Sequence, residues 1–89
     1  MPKYVVFVES KAKKQFKKIP KENQARILAT LKTLEDEGFS TRIDIKKLQG
    51  YKNHYRIRIG KLVRILFELQ ANQTIVVYSI STREKAYDK

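Results

Sequence analysis

Apolar and polar positions alternate most regularly between His54 and Leu69. Tyr55, Ile57 and Ile59 point one way and Arg56 and Arg58 the other, because strand side chains change face at each residue. After a tight turn at Gly60-Lys61, Val63, Ile65, Phe67 and Leu69 form one row, and Leu62, Arg64, Leu66 and Glu68 the opposite row. The stretch predicts a β-hairpin with one apolar face. If the apolar rows share a core, Arg56, Arg58 and Arg64 share the other face.

Upstream, Tyr4 to Val8 is a short β-branched and aromatic run, apolar on both faces, which predicts a strand buried within the sheet. Ser10 stands at a helix N-cap position. Ala12, Phe16 and Ile19 then fall at i, i+4 and i+7, one stripe of a short helix otherwise covered by Lys11, Lys13, Lys14, Lys17 and Lys18. Pro20 suits the first turn of a second helix. Its apolar face is Ile27, Leu28, Leu31 and Leu34, with Ala25 beside them, and it runs to about Glu37, with Gly38 as a left-handed cap. Residues 39–47 read as a connection of mixed character. Ala71-Asn72-Gln73 reads as a turn. Residues 74–81 form a last, interior strand, with Ile75 and Val77 on one face and Val76, Tyr78 and Ile80 on the other. In the tail, a single helical turn would set Arg83 and Tyr87 on one side at i, i+4. The order is β-α-α-β-β-β. It predicts one α+β domain over residues 1–89, a four-stranded, mainly antiparallel sheet with an N-terminal helical hairpin packed on one face.

Charge sharpens this picture. Twenty Lys and Arg against nine Asp and Glu give a net charge of +11, a field that attracts polyanions. The chain has no cysteine, which excludes disulfides, thiolate catalysis and Cys-ligated zinc. With one histidine and no tight carboxylate cluster, no metal site and no cofactor is expected. Gly38, Gly50 and Gly60 are isolated, so no phosphate loop is present. No stretch approaches the ~18 apolar residues of a membrane span, and a soluble cytoplasmic protein is expected. His54 alone builds no Ser-His-acid pattern and reads as a strand-edge or loop residue.

The candidate chemistry therefore rests on cations and tyrosines. Arg56, Arg58 and Arg64, with Leu62 and Leu66 beside them, make a surface suited to an anion or a partner. Such a set suits cleavage of an RNA phosphodiester without metal. The 2′-hydroxyl must lose a proton and attack phosphorus, the phosphoryl oxygens must be stabilised, and the 5′-oxygen must be relieved of charge. Arginine does the second task well. With a pKa above ~12 it is a poor base. Tyr87 is the acid–base group that the pattern puts nearest, since tyrosine ionises near ~10 and neighbouring guanidinium groups lower that. A chain with so weak a base would need a partner, such as the ribosome, to orient the RNA.

The segment Lys47-Leu48-Gln49-Gly50, the hairpin from Tyr55-Arg56-Ile57-Arg58-Ile59-Gly60 to Val63-Arg64-Ile65-Leu66-Phe67, and the ending Ile80-Ser81-Thr82-Arg83-Glu84-Lys85-Ala86-Tyr87 carry a resemblance. Over nearly its whole length the chain resembles the RelE/ParE toxin superfamily, nearest the RelE branch. The resemblance implies the toxin of a type II toxin–antitoxin system, a ribosome-dependent, metal-independent mRNA endoribonuclease that cuts in the ribosomal A site. It implies a RelB-type antitoxin and a toxin–antitoxin hetero-oligomer, and the charge of +11 leads us to expect that antitoxin to be acidic. The family's two basic residues on the first hairpin strand, lysines in its best-known members, match Arg56 and Arg58, and its next arginine matches Arg64. Its leaving-group arginine matches Arg83, and its base or stacking tyrosine matches Tyr87. Thr82 stands where many relatives carry histidine. The expected site is thus Arg58, Arg64, Arg83 and Tyr87 in catalysis and Arg56 in substrate binding, with Leu62 and Leu66 meeting the antitoxin. Two alternatives stand beside it. One is a ParE-like inhibitor that binds DNA gyrase, a class that generally lacks this set of residues. The other is an RNA- or ribosome-binding module without activity.

Overall fold

A computed structural model describes residues 2–82. Among these residues the order is β1 (Val5–Val8), α1 (Ser10–Lys17), α2 (Lys21–Glu37), β2 (Asp44–Lys47), β3 (His54–Ile59), β4 (Val63–Gln70) and β5 (Thr74–Thr82). The strands form one sheet in the order β1-β5-β4-β3-β2, parallel between β1 and β5 and antiparallel elsewhere. The helices cover one face. Ala12 and Ile19 meet Ile27, Leu34, Ile57, Ile65, Phe67, Ile75 and Val77 in a single core.

The sheet has five strands among the described residues, where the sequence pattern predicts four. The additional strand, β2, lies within what reads as a connection. Ile43 and Ile45 pack against the core while Asp44, Lys46 and Lys47 stay exposed. Four residues with charged outward positions suit an edge, but they are too short for their alternation to stand out. β1 is also an edge strand and not a buried interior one. Tyr4, Val6 and Val8 lean on the core, while Val5 is 63% and Phe7 58% exposed.

A β-bulge corrects the reading of β5. Phe67 pairs with Val77 but Leu66 with Ser79, which leaves Tyr78 as an extra residue. Past it the alternation reverses. Ile80 turns into the core beside Ile65 and does not share a face with Val76. The Ile80 amide donates to Oε1 of Gln15 at 2.8 Å, which ties the strand to α1.

The helical hairpin is closed by side chains the pattern did not single out. Gln24 donates to the Phe16 and Ile19 carbonyls, at 3.1 and 2.9 Å, and so caps the end of α1. Glu9 is the N-cap of α1, with Ser10 already inside the helix, and Pro20 is the N-cap of α2. Leu28 is 58% exposed, so the buried face of α2 is narrower than its apolar set. Gly38 ends α2 with φ 75° and ψ −140°, outside the left-handed helical cap its position suggests. The turn after β3 takes in Gly60, Lys61 and Leu62.

Candidate nucleic-acid interface

Residues paired across neighbouring strands share a sheet face. The face turned away from the helices therefore carries three rows. Asp44, Arg58, Arg64 and Ser81 form the first, and Lys46, Arg56, Leu66 and Ser79 the second. His54, Glu68, Val76 and Phe7 form the third. The parity that predicts Arg56, Arg58 and Arg64 on one face is realised, with Arg58 directly opposite Arg64. Leu66 is half-buried beside Arg56. Leu62 is not with it, because it lies in the turn and packs against the core. Arg83 and Tyr87 lie outside the described residues.

Arg56 sits at the centre of this surface and is only 8% exposed. Its Nη1 is 3.6 Å from Oδ1 of Asp44, beyond hydrogen-bond range. That nitrogen has no hydrogen-bond partner among the described residues. Removing a guanidinium from water is costly unless its N–H groups are paired. The second carboxylate oxygen of Asp44 is 3.9 Å from Nε of Arg58, which is half-exposed. Asp44 thus faces two arginines from an edge strand that the sequence pattern missed. The alternation Ile43-Asp44-Ile45-Lys46 was its only signal.

A second group was also missed. His54 shares its face with Arg56 and Arg58, and the same parity rule could have shown this. Its Nδ1 is 2.9 Å from the Tyr78 hydroxyl oxygen, and its Nε2 is 3.9 Å from Oε2 of Glu68. The centroid of the His54 ring is 5.7 Å from that of Tyr51 and 5.4 Å from that of Tyr78. Burial, then the charges of Glu68 and Tyr51, push the Tyr78 phenol above its ordinary value of 10.0 and keep it protonated.

No family model matches the chain. Solved structures place the fold among toxins held by antitoxins. The RelB–RelE antitoxin–toxin complex from Methanococcus jannaschii aligns with a TM-score of 0.81 and 29% identity, over 92% of this chain and 95% of that one. The archaeal RelE–RelB complex from Pyrococcus horikoshii aligns with a TM-score of 0.78 and 25% identity, over 91% and 96%. In sequence, the Methanocaldococcus jannaschii protein RelE1 is 31% identical over 86 residues, 96% of each chain. The chain belongs to the RelE toxin family.

Proposed function

We propose that this RelE-family toxin cuts mRNA on the ribosome without a metal ion, and that the arginine face holds the scissile phosphate. The observation that carries the reading is the buried Nη1 of Arg56, a cationic donor lacking a hydrogen-bond acceptor among the described residues. A phosphoryl oxygen would supply that acceptor, and guanidinium groups bind phosphate through paired N–H donors.

In the reaction, the 2′-oxygen bonds to phosphorus as the bond to the 5′-oxygen breaks, leaving a 2′,3′-cyclic phosphate and a 5′-hydroxyl. Negative charge grows on the phosphoryl oxygens. Arg56 and Arg58 stand in fixed register on β3, with Arg64 opposite on β4, and stabilise that charge by preorganised electrostatics. Arg83 relieves the leaving oxygen, the role the family resemblance gives it. The ribosome brings the mRNA into the in-line geometry that a weak site cannot impose by itself.

The partner is a RelB-type antitoxin, as in the archaeal RelE–RelB complexes. An acidic segment crossing Leu66 and the arginine face would block phosphate and satisfy the same N–H donors.

Programmed ribosomes carrying a defined mRNA test the cleavage reading. Cuts that need the ribosome, persist when the toxin has first been stripped of metal with EDTA and returned to chelator-free buffer, and vanish in Arg56→Ala/Arg58→Ala are expected. An intact mRNA together with inhibited DNA gyrase would transfer the protein to the gyrase-binding class.

A further inference from the structure

Arginine is a poor base, and cleavage requires a group that takes the 2′-hydroxyl proton. We infer that the Tyr78 hydroxyl, backed by His54 and Glu68, is that group. This rests on the cleavage reading above. The three side chains stand in the order carboxylate, imidazole, hydroxyl across β4, β3 and β5. Glu68 Oε2 is 3.9 Å from His54 Nε2, and His54 Nδ1 is 2.9 Å from the Tyr78 oxygen. The Nδ1–hydroxyl contact follows the logic by which a histidine activates a hydroxyl, while Glu68, beyond hydrogen-bond range of the imidazole, acts on it through its charge. The bulge holds Tyr78 as an extra residue at the level of Leu66 and Phe67, and Leu66 is the direct neighbour of Arg56. His54 and Arg56 are two residues apart on one face of β3, ~7 Å along the strand. The relay therefore borders the phosphate clamp.

The proton balance closes. The 2′-hydroxyl gives its proton to the Tyr78 oxygen while Tyr78 passes its own to Nδ1 of His54. Nε2–H faces Glu68, whose charge stabilises the imidazolium. The O2′–P bond forms and the P–O5′ bond breaks. The 5′-oxygen takes a proton from solvent, and the imidazolium returns one to solvent. A phenol held protonated suits this role, because it exchanges one proton for another and does not have to ionise first. The groups facing His54 are Tyr51 from the preceding loop, Glu68 from β4, Tyr78 from β5 and Arg56 from its own strand. Tyr78 would be a catalytic residue, with His54 and Glu68 as positioning residues. Tyr87 is left the stacking role.

Single-turnover cleavage on programmed ribosomes, followed against pH, tests the relay. The wild-type rate is expected to rise with pH and level off. Tyr78→Phe and His54→Gln should each lower it by ~10²-fold or more and flatten the rising limb, with ribosome binding unchanged. Glu68→Gln should lower the rate less than Tyr78→Phe does, with ribosome binding unchanged, because Glu68 acts only through His54. Tyr78→Phe removes one oxygen and keeps the ring, so it carries the test if His54→Gln unfolds. Wild-type rate and pH profile in both variants would overturn the relay alone. An active Tyr78→Phe beside a Tyr78→Ala that no longer binds would also overturn it, making the ring a base-stacking surface. A wild-type toxin that cuts nothing would overturn the cleavage reading itself.

Discussion

The Asp44 carboxylate lies 3.6 Å from Nη1 of Arg56, near enough to attract and too far to hydrogen-bond. The pair joins an exposed acid to a buried base, so removing the acid should act in two directions. Asp44→Asn takes away the counter-charge of a buried guanidinium. Solvent screens an aspartate that is more than half exposed, so the expected loss is only about 1 kcal/mol in urea unfolding. The same change clears a negative charge from the arginine face, the proposed phosphate site. RNA should bind more tightly at low salt, and the fall of affinity with salt should steepen. A variant less stable yet stickier for RNA is the expected outcome, and weaker RNA binding would contradict this view of Asp44.

Tyr78 gives a pH signature independent of activity. Its folded pKa is raised above the ordinary 10.0, by burial first and then by Glu68 and Tyr51. The unfolded chain therefore releases this proton at a lower pH than the folded one. The contribution to stability is whole below the unfolded value and is lost as pH rises through the folded value. Tyr78→Phe should remove this component. Urea unfolding of the two proteins through the alkaline range should show wild type losing stability faster.

Gly38 should not tolerate a side chain. Its φ of 75° with ψ −140° suits glycine, and an added Cβ would stand 2.7 Å from Cε1 of Tyr4. That ring packs on the core and lies 6.0 Å from Phe39. Gly38→Ala is expected to cost ~1–3 kcal/mol from backbone strain alone. For a domain of this size each kcal/mol lowers Tm by ~4–8 °C, so a thermal melt suffices to check it.

Leu66 offers a way to separate antitoxin binding from folding. It is half-buried on the open face beside Arg56 and lies outside the core cluster. Leu66→Ala should weaken the RelB-type antitoxin by at least ~10-fold, the effect of a contact worth about 1.4 kcal/mol. Titration calorimetry with the antitoxin would measure it, and unchanged affinity would place the antitoxin's path elsewhere.

The hairpin was legible because β3 and β4 alternate over six and eight residues, long enough for parity to assign each side chain a face. The arginine cluster follows from that alone. β2 was not legible, since four residues with two lysines resemble a loop. Nor was the edge position of β1. Val5 pairs with Thr74, and nothing local to either residue tells a parallel edge from an interior strand. Parity failed at Ile80 because an inserted residue changes the count without changing composition. The contact between His54 and Tyr78 spans 24 positions and two strand pairings. It required the bulge and the sheet order together, and neither is written in one segment.

That inserted residue separates two demands on one strand. With position 78 removed, Val77 would still face the core, Ser79 would still face outward and Ile80 would still face inward. The ladder does not need Tyr78, and the core cluster does not include it. A shortened strand lacking only that residue should refold on the same core with the phenol gone. The fold thus holds one position that selection can rewrite for chemistry while leaving its architecture untouched.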